Sequence, residues 1–374
     1  GVDMGIGRFF GRDCAAIALL LAALLGLTGC PEGGNGGNVN QEPPDGDNST
    51  FGNAMKVVLS ANDQSIIEGE ISGPSDVDLY EIGPLSPGDH VLADVQAISG
   101  NLDAVAALFD SREYVHGFND DRSFGGADLN PLLDLVVRGP DGPYYIGIVA
   151  FPGSNTTGRY RISLRITRGV GVPEPEPQTV FLEWRGGANV VIQNVGRYDL
   201  PPFDAAALGK EFAGETDVIK RRVRQLVADR FRGFGLIILS SDDNAKPATA
   251  HSTIYFGGQN SRAFAISQQI DTFNGDRGDD AIIFTESYRG AFGATPTVEQ
   301  ISTALANTVA HEIGHLLGLV HTRECSELMD TRCGNQALLF EQSFGVAPLD
   351  SSVFPLGFQN AAELIGWTIG LVGL

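Results

Sequence analysis

The sequence predicts two folded domains in series, an all-β antiparallel sandwich followed by an α+β domain in which a mixed sheet carries a long helix. Three observations lead there. Between residues 55 and 168, short runs alternate apolar and polar side chains with a period of two, and no helical period intervenes. Residues 169–178 contain Pro173-Glu174-Pro175-Glu176-Pro177, a stiff extended spacer that marks a boundary. From 179 to 374, short apolar strands are mixed with helical patterns, one of them long. A chain of 374 residues has room for two such domains.

The segment before the sandwich reads as an address. Arg8 and Arg12 precede an apolar run from Ala15 to Leu25, too short to span a bilayer as a mature helix. The run ends in Leu27-Thr28-Gly29-Cys30, which resembles a bacterial lipobox. That resemblance implies a signal peptide over 1–29 and lipidation of Cys30. An ordinary secretory signal cut near Gly29 is the alternative, and either way the chain is exported. The expected location is therefore a membrane-anchored lipoprotein on the periplasmic or cell-surface side. Residues 30–54 are rich in Gly, Asn, Pro and Asp with few apolar side chains, so they are expected to be a flexible tether.

Within the sandwich, Tyr160, Ile162, Leu164 and Ile166 alternate with Arg161, Ser163, Arg165 and Thr167, the pattern of a half-buried strand. Similar runs occupy 65–71, 76–82, 90–98, 104–109, 132–137 and 144–151, separated by turns such as Gly73-Pro74, Pro87-Gly88 and Gly139-Pro140. Asp76-Val77-Asp78-Leu79-Tyr80, Gly88-Asp89, the run from Asp103 to Asp110, and Gly142-Pro143-Tyr144-Tyr145-Ile146 with Gly158-Arg159-Tyr160 resemble the bacterial pre-peptidase C-terminal domain. Such domains commonly follow a protease domain, whereas this one would precede it. Asp76 and Asp78 fall on one face of a strand, where they either hold a calcium ion or sit on a solvated surface.

In the second domain, Thr179–Trp184, Leu236–Leu239, Ser252–Phe256 and Ala281–Phe284 read as strands. Thr216 is expected to cap a helix in which Ile219, Val223, Leu226 and Val227 share one face. Asp271 to Asp280 holds Asp271, Asn274, Asp276, Asp279 and Asp280, either a structural calcium loop or a solvated acidic turn. Thr297 and Gln300 are spaced as a capping box, and the helix they open is expected to run to Leu317, burying Ile301, Leu305, Val309 and Leu316. Asn360 begins a closing core helix through Leu364, Ile365 and Trp367.

The chemistry is concentrated in the long helix and the turn after it. His311 and His315, four residues apart, project from the same helical face and can share one metal ion, with Glu312 beside them as a base. Gly318 is free to take positive φ and reverse the chain, which returns His321 as a third ligand. Three imidazoles leave one position of a Zn²⁺ open for water, the arrangement of a catalytic site. A Gly and a His meet these two extra positions by chance about once in five hundred, which separates the pattern from an accidental helix with two histidines.

His311-Glu312-Ile313-Gly314-His315-Leu316-Leu317-Gly318-Leu319-Val320-His321, followed by Ser326-Glu327-Leu328-Met329-Asp330, resembles the metzincin metalloproteases. The spacing from His321 to Met329 is similar to that of the matrixin branch. The resemblance implies a zinc-dependent endopeptidase with an α+β metzincin-like domain, Met329 as an apolar base beneath the zinc, and a substrate-pocket wall formed by 335–357. It also implies that structural calcium, if present, rigidifies the sheet. Thr331 stands where some metzincins carry a tyrosine, so no tyrosine ligand is expected there.

Of the four cysteines, Cys14 and Cys30 belong to the leader and lipid site. Cys325 and Cys333 bracket Met329 and, in an exported chain, are expected to form a disulfide. The net charge of −21 repels phosphate backbones, so nucleic acid is excluded as a partner. The expected partners are protein or peptide substrates and, through the lipid, a membrane. The competing reading is a catalytically weak or inactive zinc-containing surface binding protein, against which the intact Glu312 speaks.

Overall fold

The computed structural model describes residues 39–43, 48–122, 128–193 and 195–373. The expected signal peptide, the expected lipid site at Cys30 and about half of the expected tether lie outside the described residues; the rest of residues 30–54 is not a free tether, since Val39–Gln41 is a strand paired in a sheet and Asn48 is fully buried. Among the described residues, no helix is long and apolar enough to cross a membrane.

The first half is built from β1 (Val39–Gln41), β2 (Met55–Lys56), β3 (Gln64–Ile71), β4 (Val77–Leu85), β5 (His90–Ala97), β6 (Ala104–Phe109), β7 (Val115–Asn119), β8 (Leu132–Val136), β9 (Gly142–Ala150) and β10 (Gly158–Thr167). They form two five-stranded sheets, ordered β1-β3-β10-β5-β8 and β2-β4-β9-β6-β7. Ile67, Ile162 and Val95 of the first sheet share a core with Ile82, Ile146 and Leu108 of the second. The pairing departs from pure antiparallel order at two edges. β1 runs parallel to β3, and β2 parallel to β4. The entering chain crosses from one sheet to the other between β1 and β2, so neither joins its neighbour through a hairpin.

Two strands show how sequence pattern follows burial. β10 alternates buried and exposed positions up to Leu164, Arg165 and Ile166, as its apolar-polar alternation requires. β6, Ala-Val-Ala-Ala-Leu-Phe, is buried at every position. Its Ala104, Ala106 and Leu108 face the core between the sheets, whereas Val105, Ala107 and Phe109 face a second cluster shared with Val320, Leu349, Val353 and Phe354. A strand covered on both faces reads as a continuous apolar run. The covering residues come from the other half of the chain, so the two halves share an apolar cluster.

That half contains β11 (Gln178–Glu183), the hairpin β12 (Gly187–Ile192) and β13 (Gly196–Leu200), helix α1 (Thr216–Arg230), and strands β14 (Leu236–Ser240), β15 (Ser252–Phe256), β16 (Ala265–Ser267) and β17 (Asp280–Ile283). Helix α2 (Val298–Leu316), the pair β18 (Val346–Pro348) and β19 (Phe358–Asn360), and helix α3 (Ala361–Ile369) complete it. The sheet order is β14-β11-β15-β17-β16, parallel throughout except for β16 at the edge. The fold is thus mostly β, with mixed sheets and few helices. The hairpin, β7 and β16 carry no strong period-two signal and were not expected from the sequence.

Four local expectations change. Thr216 is the first residue of α1 rather than its cap, and its hydroxyl instead accepts from Ala205 N–H at 3.0 Å. The Pro/Glu segment is pinned at its end, where Glu176 N–H donates to Thr368 and Gln178 N–H to Gly235. Asp78 does not sit on a solvated face: it is fully buried and accepts from the Tyr160 hydroxyl, while Asp76 accepts from Ser72. The acidic loop is not a solvated turn either. Asp279 is fully buried and Asp271 and Asn274 nearly so, because the loop packs under the end of α2, where Asp271 N–H donates to the His315 carbonyl at 2.9 Å.

Candidate metal centre

The site begins with the N-terminus of α2. Thr297 accepts from Gln300 N–H at 3.2 Å, and the Gln300 side chain accepts from Thr297 N–H at 2.9 Å, so the expected capping box is present. Burial is wider than one face, since every residue from Ile301 to Leu316 is buried. An apolar helix packed on several sides needs its polar groups satisfied internally. Ser302, Thr303 and Thr308 donate to carbonyls one turn earlier, and the Asn307 amide donates to Leu338 and Phe340. The helix is a rigid base for its last turn.

His311 and His315 stand on that turn. The His311 ring meets the Leu328 carbonyl through Nδ1 at 2.7 Å, and the His315 ring meets the Leu319 carbonyl through Nδ1 at 2.8 Å. A carbonyl only accepts, so both Nδ1 atoms carry protons and both Nε2 atoms present lone pairs. After Gly318, which takes φ +93°, the chain turns back and delivers His321. Nε2 of His315 lies 3.0 Å from Nε2 of His311 and 3.1 Å from Nε2 of His321. Lone pairs aimed at one another at this distance repel unless a cation lies among them. The donor set therefore fits a metal ion, and three neutral imidazoles suit zinc.

The three rings are buried. Burial lowers His311 to about 4 and His321 to about 3, and lowers His315 still more strongly with help from its two neighbours. Neutral imidazole, the ligand form, is what this environment favours at pH 7. Glu312, on the same turn, is 3% exposed, and burial raises its carboxyl to about 8.

Met329 lies beneath the last turn. A Cβ at Gly314 would come 2.6 Å from its sulfur, so glycine makes the close approach of turn and helix possible. The methionine turn is held by Glu327, a buried residue whose carboxylate accepts from Met329 N–H and from the Thr322 hydroxyl, both at 2.7 Å. The Cys325–Cys333 disulfide closes the same loop. Past it, a pocket of about 430 Å³ is lined by Ala291, Cys333, Gly334, Asn335 and Gln336.

Glu327, and Gln359, whose side-chain amide bonds both peptide groups of Val320 just before His321, are supporting residues that sequence reasoning missed. Nothing in the spacing marks Gln359, which is 38 residues from His321 in the chain. Glu327 stands two residues before Met329, and that nearness was the one available signal.

Neither the known protein families nor the curated proteins provide a match to this sequence. Among solved structures, the chain is similar to the pre-peptidase C-terminal domain of a collagenase from Bacillus anthracis, with 14% identity over 30% of this chain and 94% of that one, at a TM-score of 0.23. It is also similar to a zinc-dependent peptidase from Methanocorpusculum labreanum, with 11% identity over 44% of this chain and 93% of that one, at 0.27. Archaemetzincin from Methanopyrus kandleri gives 12% identity over 46% and 90%, also at 0.27. These likenesses are distant, and the chemistry of the site follows from its own geometry.

Proposed function

We propose that this chain is a zinc-dependent endopeptidase of the metzincin kind, with His311, His315 and His321 as zinc ligands and Glu312 as the catalytic acid and base. The observation that carries the reading is the convergence of three imidazole Nε2 atoms beside a buried glutamate. A zinc ion held there would polarise the scissile carbonyl and bring a bound water's pKa to about 7.

The remaining work falls to the chain. Glu312 accepts at its carboxylate the proton that the attacking water loses, and then delivers it to the leaving amine as the C–N bond breaks. The Leu328 and Leu319 carbonyls keep two ligand rings in the metal-binding tautomer. Met329 fills the space beneath without a polar group that would compete. The reading extends to an exported, lipid-anchored protein acting on extracytoplasmic substrates, and the disulfide supports an oxidising compartment.

The deciding experiment is cleavage of a denatured general protein substrate by residues 31–374 with zinc, beside Glu312→Ala. Loss of the base costs roughly a thousandfold in rate while the three ligands stay in place. Equal activity in both proteins would refute the assignment. We further propose structural calcium at the acidic loop, favoured by the buried Asp279 Oδ2 and Asn274 Oδ1, which have no hydrogen-bond partner among the described residues. A melting temperature unmoved by calcium in the zinc-loaded protein would count against it.

A further inference from the structure

The third histidine does not stand on the rigid helix that holds the other two. It follows a reversing turn, so something else must fix it. Leu319 N–H still returns to α2, donating to Gly314 at 2.9 Å, and Asp350 N–H donates to the His321 carbonyl at 3.0 Å. Between them, the Val320 peptide groups are bonded by one side chain. The Gln359 amide oxygen accepts from Val320 N–H at 2.8 Å, and its amide nitrogen donates to the Val320 carbonyl at 3.0 Å. Gln359 is fully buried, and this pair of bonds imitates a strand partner for a residue that has none.

The clamp is anchored on two sides: β19 pairs with β18 of its own half, and its other contacts lie in the β-sandwich. Gln359 stands in the middle of β19, and next to it Phe358 N–H donates to the Glu113 carbonyl in the turn between β6 and β7, at 2.9 Å. Just before, Gly357 takes φ +83° against the Phe109 ring, where a Cβ would lie 2.6 Å from a ring carbon. The Val320 side chain enters the apolar cluster that Phe109, Leu79 and Val105 of the sandwich form with Phe354. Both the backbone and the side chain of the residue before His321 are therefore referenced to the preceding domain.

Resting on the metal-centre reading above, we propose that Gln359 is a positioning residue for the third zinc ligand, and that the β-sandwich is the abutment that holds it. The accessory domain then acts on metal affinity from outside the catalytic domain. An amide is required because the Val320 peptide needs an acceptor and a donor at once. A methionine of similar size keeps the packing and loses both bonds.

The test is zinc affinity of the full chain, read by competition with a chromophoric chelator, which is independent of peptidase activity. Gln359→Met lowers the affinity at least tenfold, the scale on which residues that orient metal ligands act. Leu164→Ala, in the far sheet of the sandwich core, serves as a destabilised control. Its affinity stays at the wild-type value while its melting temperature falls as far or further. Wild-type affinity in Gln359→Met overturns the proposal, and so does a loss in both variants that simply follows their melting temperatures. If the methionine variant does not fold, Gln359→Asn, which withdraws the amide by one carbon, carries the same comparison. A wild-type chain that binds no zinc at all overturns the metal centre, and this proposal with it. Stoichiometric zinc without peptidase activity leaves the clamp standing and removes only the endopeptidase.

Discussion

The shared interface makes a strong prediction about separability. Remove residues 55–168 and the remaining chain must expose Val320, Leu349, Val353 and Phe354, which are now 2%, 1%, 5% and 0% exposed. Burying an aliphatic or aromatic side chain contributes about 1.5–3 kcal/mol, so these four together represent roughly 6–12 kcal/mol. A whole domain is stable by only about 5–15 kcal/mol. The excision also deletes the Arg112–Glu363 ion pair, the bond from Arg138 to the Trp367 carbonyl and the tilted ring contact of His116 with Trp367, so the apolar figure does not stand alone. Residues 169–374 expressed by themselves should therefore lack a cooperative thermal transition and stoichiometric zinc binding. The assay is a circular dichroism melt with a zinc titration, beside the full chain. A soluble 169–374 chain that melts cooperatively and binds one zinc would refute the reasoning and make the sandwich a detachable module.

Three further outcomes follow from local features. Gly318→Ala places a side chain at φ +93° with its Cβ 2.8 Å from the Thr272 backbone, so it should lose about 1–3 kcal/mol and weaken zinc binding; an unchanged melt would show that the loop yields freely. Replacing Cys325 and Cys333 together by Ala opens a loop with a sequence separation of 8 and should cost about 2–3 kcal/mol on the chain-entropy account, with reductant lowering the wild-type melting temperature by a similar amount and leaving the double variant unmoved. Burial, aided by a hydrogen bond with Glu42, holds the Asp78 carboxyl well above the ordinary 3.8, so the folded protein keeps a proton that the unfolded chain releases. That stabilisation is complete below about pH 4 and is lost as pH rises toward the folded value, so between roughly pH 5 and 8 the wild type should lose up to about 1.4 kcal/mol per pH unit relative to Asp78→Asn. Parallel stability-pH curves for the two proteins would mean that Asp78 is ionised in the fold.

The local signals in the sequence were strong where one short segment decides the outcome. The i, i+4 spacing of His311 and His315, the capping box at Thr297 and the reversing glycine at 318 each depend on neighbours within a few residues, and each is found where the sequence places it. The pairing of Cys325 with Cys333 is equally short-range. Strand pattern was legible in β10, where one face meets solvent, and in β6, whose unbroken apolar run signalled a strand but not what would cover its second face.

What the tertiary structure decided is every interaction whose partners are distant in the chain. Asp78 reads as a surface carboxylate until the neighbouring sheet places Tyr160 against it, and the acidic loop reads as solvated until the end of α2 closes over it. Gln359 reads as an ordinary polar residue before a helix until β19 docks on the sandwich and turns its amide toward Val320. Periodicity records which face of an element avoids water, because that demand is repeated along the element itself. It does not record which distant element supplies the apolar cover or the hydrogen-bond partner, because that choice is made once, by the way the two halves pack.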